Sequence, residues 1–573
     1  MSGSTPTADP VTAALTAPGA PFEVVEATVR GRPTRVWRNA PATLADLMAT
    51  ANAWGELDYL VHGDERWTYA AHNRAAASLA RWLAAGVVSP GDRVAIAASN
   101  RPAWSLAFWG AACAGAVVVP LNGWSSGEEL QYALRDSGAT VLFADAPRLA
   151  RLAGRLHGVR VVVIDGSGAV EESAAEVRAL APLADPEAPF ALPDIAIDTD
   201  DDATILYTSG TTGRPKGAVG THRNITSNVM NLLFWGARAA GLAGASAVVP
   251  SGIQESTLVT VPLFHATGCH ATLVSSMAQG GKLVLLNRFD AVEAVALLER
   301  ERLTRLVGVP TTVMAVLDAA EGHDLTSVTY VGYGGSPAPP DLPARVRARM
   351  PNAVCGVGYG LTESSANATA NMAGEYEDQP DSVGLPSPVI EISVVDGLGR
   401  RLPVGETGEI VVSGPGIVRG YWGRPKETAE TFVDGSLRTG DIGRLDSRGR
   451  LYVSDRTKDM IIRGGENVYS AEVEHVLAEH PGVVEAAVVG RPHPLLGEEV
   501  AAFVRPLLQG GSELAGGGLA ESVREHAAAR LAAFKVPCVV LLHPEPLPRT
   551  ATGKLRKDIL RSALHGPVEE GVR

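Results

Sequence analysis

From about residue 40 to about residue 415 the chain alternates short apolar runs with stretches of helical character, and this alternation constrains the fold more than any other feature. Ala75–Ala85 is helical in pattern, Arg93–Ala98 (RVAIAA) reads as a buried strand, and Leu106–Ala114 leads as a helix into a strand at Val117–Val119. Thr140–Ala144 (TVLFA), Val159–Ile164 and Leu258–Pro262 repeat the theme. Strands that alternate with helices form parallel sheets covered by helices. From Ile390 the character changes to short strands (Ile392–Val395, Gly408–Ser413, Leu451–Ser454) between Gly-rich turns, which predicts a small β-rich subdomain. After Asp455 a further unit begins. Ser470 is placed to cap a helix with Glu472 and Glu474 in its first turn, and Pro481-Gly482 stops it. Strands at Val483–Val489 and Val500–Val504 and a helix at Glu521–Ala532 complete a compact α+β domain. The expectation is an α/β chain in three parts: a loose N-terminal tail over 1–40, a large domain over 41–454, and a small C-terminal domain over 455–573.

A chain of 573 residues is too long for one ordinary core, which agrees with that division. It is 46% hydrophobic and 20% charged, which excludes a disordered chain. A net charge of −13 argues against nucleic acid or anionic lipid as a partner. The four cysteines, Cys113, Cys269, Cys355 and Cys538, are far apart, so neither a disulfide framework nor a zinc site is expected, and a cytoplasmic location is. The first residues have no basic region followed by an apolar one, so no signal peptide is expected. The longest apolar run, Leu106–Leu121, falls short of the ~20 residues a membrane span requires, and Pro120 interrupts it.

The chemistry is concentrated in Tyr207–Val219, YTSGTTGRPKGAV, which follows the apolar strand Ala203–Leu206. Three glycines, four hydroxyl residues and Lys216 offer backbone amides, hydroxyls and an ammonium, the groups that a polyphosphate needs. A Walker A loop is excluded, because Lys216 is preceded by Pro215 and followed by Gly217. A surface hairpin is the other reading of such a composition, but this order of residues is far more specific.

YTSGTTGRPKGAV resembles the phosphate-loop signature of the adenylate-forming superfamily. Further motifs resemble that family in its own order: Pro262–Gly268 (PLFHATG), Gly334–Pro337 (GGSP), Gly358–Ser364 (GYGLTES), Thr439-Gly440-Asp441, Asp455–Glu474 (DRTKDMIIRGGENVYSAEVE) and Pro548–Lys554 (PRTATGK). The resemblance runs from about residue 40 to about residue 562 and is to the acyl-CoA synthetase branch. It implies that Thr208, Ser209, Gly210, Thr211, Thr212 and Lys216 grip the β- and γ-phosphates of ATP. Tyr359, between Gly358 and Gly360, would stack on adenine, with Gly335, Ser336 and Pro337 lining that pocket. Leu361 would complete the loop, Thr362 would contact the α-phosphate, and Glu363 and Thr208 would hold Mg²⁺. Asp441 would accept the ribose hydroxyls, with Arg456 beside them. Lys554 would neutralise charge as the substrate carboxylate attacks the α-phosphorus.

The same resemblance implies two half-reactions, an acyl-AMP formed with release of pyrophosphate and then transfer of the acyl group to coenzyme A. A mobile C-terminal domain turning at Lys458 would exchange Lys554 for Arg463, Gly464 and Gly465 between the two. His265 would border the acyl pocket and move aside for the thiol; a satisfied core histidine is the other reading. Trp235, Val309, Tyr333 and Gly334 would line the same pocket, which favours an apolar acid of some bulk, whether fatty, aryl or polycyclic. At Arg491–Pro494 the family often has Pro-Asp where this chain has His493, which leaves coenzyme A contacts there open. The implied partners are the acid, ATP and coenzyme A, and a homodimer is left open. A free-standing enzyme that loads a carrier protein, or one that works mainly on a supplied acyl-AMP, remains an alternative. No fused carrier domain is expected, since the sequence ends about twenty residues after Lys554.

Overall fold

The computed structural model describes residues 9–165, 174–208, 215–244, 254–335, 338–339, 341–456, 459–463, 466–494, 496–507, 518–550 and 555–564. Two compact units divide the chain. The first takes in the chain up to Gly334, Pro343–Ile392 and Val411–Arg438; the second takes in Gly335–Leu342, Ser393–Ile410 and the chain from Thr439 onward.

The first unit holds two large sheets. One has eight strands in the order Gly420–Tyr421, Lys216–Thr221, Asp202–Thr208, Val117–Pro120, Arg93–Ala97, Val141–Ala144, Arg160–Val163, Glu176–Ala179. From Asp202–Thr208 to the far edge its neighbours are parallel, while Lys216–Thr221 turns back antiparallel on Asp202–Thr208. The other has nine strands, with Ser256–Val259, Arg305–Gly308, Tyr330–Gly334 and Val354–Tyr359 parallel at its centre. The expected parallel, helix-covered sheets are therefore present. The helix Pro102–Cys113 is apolar on every side, and it is buried accordingly. Trp104 stacks on Phe108 with ring centroids 5.7 Å apart, and Trp109 meets Phe108 edge-on at 5.4 Å.

Over residues 9–40 the chain is not the loose tail expected of 1–40. Asp9 caps a helix over Pro10–Thr16, and Val24–Val29 pairs with Arg32–Trp37 around Arg30 and Gly31, both in the left-handed region that such a tight hairpin requires. Phe22 and Trp37 pack against Phe234 with centroids 5.7 and 5.5 Å apart, and Arg238 joins Asp9 to Glu375. Two buried aromatics and an ion-paired arginine supply burial that the small, polar composition of the segment concealed.

The second unit begins before residue 455. Ser436–Leu445 pairs antiparallel with Leu451–Arg456, which ties Thr439–Leu445 to the C-terminal part of the chain. Its main sheet joins Glu466–Val468, Ile461–Arg463, Gly497–Pro506, Val483–His493 and Val539–Leu542, with the helices Ser470–Ala478 and Gly518–Ala528 supplying Val473, Leu477, Val523 and Ala527 to one core. Ser470 does not cap its helix: Tyr469 takes that position, and the Ser470 hydroxyl turns to Asp455 at 3.1 Å. Among the described residues no helix is long and apolar enough to cross a membrane.

Three histidines are buried in the first unit: His72, 2.9 Å from Ser105 Oγ, His222, whose Nδ1 accepts from Leu44 N, and His270, 3.4 Å from Thr204 Oγ1. Burial pushes each ring down to about 4 from an ordinary 6.5. The unfolded chain takes up these protons first, so stability is expected to fall as pH drops from 6.5 towards 4 and to level off below. Each ring contributes roughly 2 kcal/mol to that loss at pH 5. Melting temperature followed from pH 7 to pH 5 checks this; a flat profile, or an unchanged slope in His72→Gln, contradicts it.

Candidate active site

The phosphate-loop motif stands on an antiparallel hairpin whose stems end at Thr208 and Lys216, directly paired. Thr208 Oγ1 lies 3.4 Å from Lys216 O. Ser209, Gly210, Thr211 and Thr212 lie outside the described residues. Both stems are fastened to the helix Gly127–Ser137. Tyr207 donates to Asp136 Oδ2 at 2.9 Å, and Tyr132 donates to Pro215 O at 3.1 Å. Arg424 closes this cluster with a 2.6 Å ion pair to Asp136. Burial and the Asp136 charge push the Tyr207 phenol well up, so it stays a donor.

Beside the hairpin runs Ile417–Arg424, whose place was not legible from motif reading. Arg419 N donates to Val219 O and Trp422 N to Gly217 O, each at 2.8 Å, and Arg419 forks onto Asp202 with both bonds at 2.8 Å. Asn224, which also caps the helix His222–Leu242, donates to Pro415 O at 2.7 Å and Ile417 O at 2.9 Å. Val418 N then donates to Glu363 O at 3.0 Å. In this way the strap brings Glu363 beside the hairpin. The Tyr421 hydroxyl donates to Glu363 Oε1 at 2.7 Å, and Lys216 Nζ sits 5.2 Å from the centroid of the same ring.

Thr362 and Glu363 occupy a single turn, Thr362–Ser364, reached from the strand Val354–Tyr359 through Gly360 and Leu361. Ser364 Oγ accepts from Leu361 N at 2.9 Å. The chain then doubles back through Ser365 at φ 58° and Ala366 at φ 104°, and Ala368 N donates to Tyr359 O at 2.8 Å. Two consecutive non-glycine residues in the left-handed region mark strain held by its surroundings. The flanking glycines serve this reversal. A Cβ at Gly360 would stand 2.0 Å from Ala366 O, and one at Gly358 2.7 Å from Asn367 Nδ2. Gly334 likewise faces Gly358 O at 2.7 Å. Protein atoms therefore lie where a side chain at Gly358 or Gly360 would go.

Of the residues expected at the acyl pocket, Trp235 and Tyr333 are buried, Val309 is half-buried, and the Tyr333 hydroxyl is taken up by Tyr376 OH at 2.7 Å. His265 is half-buried, its ring 4.6 Å from Phe264, which in turn meets Trp124 edge-on at 5.2 Å. It precedes Thr267–Val274, a stretch with the wider hydrogen-bonding pattern of a π-helix, a distortion that recurs at functional sites.

In the second unit, Asp441 is buried and stands opposite Arg456 on adjacent strands, so the two residues expected at the ribose are brought together. Gly335 is exposed at φ 79°. Ser336, Pro337, Lys458, Gly464, Gly465 and Lys554 lie outside the described residues. Arg463 pairs with Glu466 and Gly497, and its guanidinium lies 3.5 Å from Phe534 O. His493 Nδ1 accepts from Leu496 N at 3.1 Å, a turn within its own loop. Asp455 and Asp459, either side of residue 458, are both tied to the C-terminal helices. Asp455 binds Ser470, which accepts from Lys557 at 2.6 Å, and Asp459 pairs with Arg561 at 2.6 Å. Lys557 also pairs with Glu474 at 2.7 Å, where burial pushes the carboxyl up and the lysine opposes it.

The AMP-binding enzyme family matches residues 47–422, and the AMP-binding enzyme C-terminal domain matches residues 472–554. Feruloyl-CoA synthase of an Amycolatopsis species is 38% identical, over 87% of this chain and 94% of its own. The long-chain-fatty-acid–CoA ligase FadD13 of Mycobacterium tuberculosis is 34% identical, over 87% of this chain and 93% of its own. The crystal structure of ATP-bound MatB from Rhodopseudomonas palustris superposes with a TM-score of 0.78 at 30% identity, covering 91% of this chain and 98% of that one. The chain belongs to the AMP-binding enzyme family, in the adenylate-forming superfamily. Within that class it falls on the acyl-CoA synthetase branch and is an AMP-forming acid–thiol ligase.

Proposed function

We propose that this ligase takes a bulky apolar or aromatic carboxylic acid, joins it to AMP with release of pyrophosphate, and passes the acyl group to the thiol of coenzyme A with release of AMP. The observation that carries the reading is the meeting of Lys216 and Glu363 on Tyr421, beside Thr208: a cation and a carboxylate held together at the root of the phosphate loop. Thr208, Lys216 and the loop residues 209–212 bind the polyphosphate. Tyr359 stacks on adenine next to Gly335, Ser336 and Pro337, Thr362 contacts the α-phosphate, and Asp441 with Arg456 holds the ribose. Among the described residues no three His, Cys, Asp or Glu gather to cage a metal ion. A lone carboxylate aided by substrate phosphates is the mode of binding that suits Mg²⁺, so Glu363 and Thr208 fit it. Such an ion supplies neutralisation of phosphate charge.

The acid's carboxylate oxygen attacks the α-phosphorus, and Lys554 offsets the charge that develops. Thiol attack on the acyl carbon then needs Lys554 gone and Arg463, Gly464 and Gly465 in place. A pivot at Lys458 provides the exchange, and it parts Asp455, which precedes the pivot, from Ser470, which follows it, while the Asp459–Arg561 pair, wholly beyond the pivot, is kept. Segments 224–235, 262–268, 308–312 and 333–335 carry no Asp, Glu, Lys or Arg, which supports an uncharged acyl group. The relatives named for feruloyl and long-chain fatty acyl groups suggest the two classes to try first.

A panel of hydroxycinnamic and graded fatty acids, with MgATP and with or without coenzyme A, tests the reading. Pyrophosphate with one class, and acyl-CoA once coenzyme A is added, is expected. Pyrophosphate that appears only with an amino acid or a dicarboxylate would overturn the substrate class.

A further inference from the structure

We infer that Tyr421 is a positioning residue for the metal–polyphosphate site: its hydroxyl sets the Glu363 carboxylate, and its ring seats Lys216, in one arrangement ready for the metal-bound nucleotide. The inference rests on the roles proposed above for Glu363 and Lys216 and adds what orients them.

Tyr421 lies on the edge strand Gly420–Tyr421, antiparallel to Lys216–Thr221 and paired with Ala218. Side chains two apart on a strand share a face, so Lys216 and Ala218 point the same way, and the ring opposite Ala218 meets the lysine. The residue is fixed at three points, two on the backbone and one on the ring. Tyr421 N donates to Thr428 Oγ1 at 2.9 Å, Phe432 packs edge-on at 5.5 Å, and Trp422 N anchors the next residue to Gly217 O at 2.8 Å. Arg424, two residues further on, grips Asp136 at 2.6 Å, the carboxylate that also holds Tyr207. The last four residues of the strap, Tyr421–Arg424, thus tie down both stems of the loop and the carboxylate facing it.

The chemistry of the contact is specific. A half-buried carboxylate beside an ammonium can swing to it and form a direct ion pair, and this would consume both groups before the nucleotide arrives. The phenol prevents that. It occupies Oε1 with a charge-assisted hydrogen bond and leaves Oε2 for a metal ion. Its π face holds the ammonium without neutralising it.

Tyr421→Phe keeps the ring and removes the hydroxyl. Binding of a non-cleavable ATP analogue, measured by calorimetry across a series of free Mg²⁺ concentrations, reads the effect without turnover. The metal-dependent affinity is expected to weaken by roughly tenfold, about 1.4 kcal/mol, with binding in the absence of Mg²⁺ and the melting temperature unchanged. In Glu363→Gln the same metal dependence is expected to be lost, and adding Tyr421→Phe to it should change nothing more, the non-additivity of a residue that acts through its neighbour. If Glu363→Gln loses the dependence while Tyr421→Phe keeps it, the positioning role is wrong and the role of Glu363 stands. If Glu363→Gln keeps it, both fall. Equal weakening by Tyr421→Phe with and without Mg²⁺, or additive losses in the double variant, would show a merely structural tyrosine and overturn the inference.

Discussion

Replacing Lys554 by alanine is expected to slow acid-dependent pyrophosphate release by roughly a thousandfold, about 4 kcal/mol of transition-state stabilisation. Acyl-CoA formation from a supplied acyl-AMP should stay within about twofold of the unaltered protein. The split arises from where charge develops. Attack on the α-phosphorus gathers negative charge that an ammonium can meet, whereas thiol attack on the adenylate places its charge on the acyl oxygen, in the step for which the proposed exchange removes the lysine. The flanks of the lysine segment are built to hold it. Arg549 pairs with Leu555, and Arg556 N donates to Pro548 O at 2.8 Å. Directly beyond, the helix Lys557–Ala563 is locked through Lys557 to Ser470 and Glu474, and through Arg561 to Asp459. Separate assays of the two half-reactions check the split. Equal loss in both would mean that Lys554 serves binding common to both steps, and the proposed exchange at Lys458 would lose its basis.

Much of this arrangement was legible in the sequence, and the parts that were not share a physical cause. Apolar runs bounded by turn residues located the buried strands Arg93–Ala97, Val117–Pro120 and Val141–Ala144 almost to the residue, because complete burial leaves an unbroken apolar signature. The strand Ala203–Leu206 ahead of the phosphate-loop motif was legible in the same way and lies within Asp202–Thr208, while its antiparallel return through Lys216–Thr221 is held by contacts such as that at Gly217. Gly217 leaves room for Ile205, whose Cγ2 would be 2.5 Å from a Cβ there. The N-terminal hairpin was missed because its stability comes from partners hundreds of residues away: Trp37 Nε1 bonds Asn231, and Arg30 donates to Ile417 O and Val418 O. No local pattern carries such contacts.

Tyr421 was missed for a related reason. In GYWGRP it reads as an aromatic between turn residues, and only the pairing of Gly420–Tyr421 with Lys216–Thr221 sets it between a lysine and a carboxylate. Ser470 shows the opposite error. A serine ahead of two glutamates is a fair cap by local rules, yet Tyr469 takes that position, and the buried Asp455 carboxylate, which requires donors, accepts from both the backbone N–H and the hydroxyl of Ser470. Local rules fail at both positions where a charged group from another segment sets the side chain's place, and in both cases that group belongs to the candidate site or lies beside the proposed pivot.

Gly360→Ala should have the second large effect, and it should strike stability and chemistry together. The added methyl would stand 2.0 Å from Ala366 O and 2.8 Å from Ala366 C and Asn367 Cα. These are backbone atoms of the reversal that carries Thr362 and Glu363, so no rotamer change relieves the clash. Ser365 and Ala366 already sit in the left-handed region, and Ser365 is pinned by its hydroxyl to Gly416 O at 2.9 Å, so the reversal has little room to yield. Overpacking against fixed backbone costs about 3 kcal/mol. Relief must come by moving Tyr359 away from the returning chain, which misplaces the ring proposed to stack on adenine and the turn bearing Glu363, and shifts near an ångström at a reacting centre cost about a hundredfold in rate. Urea unfolding is therefore expected to show the full stability loss, and pyrophosphate release to fall by about two orders of magnitude in the fraction that remains folded. Gly374→Ala is the control. A Cβ there meets nothing within 4 Å, and it should change stability by no more than about 0.5 kcal/mol. If Gly360→Ala unfolds with the unaltered protein and binds the ATP analogue as tightly, the close approach of Gly360 to Ala366 does not hold the turn, and the placement of Glu363 must depend on the Ile417–Arg424 strap alone.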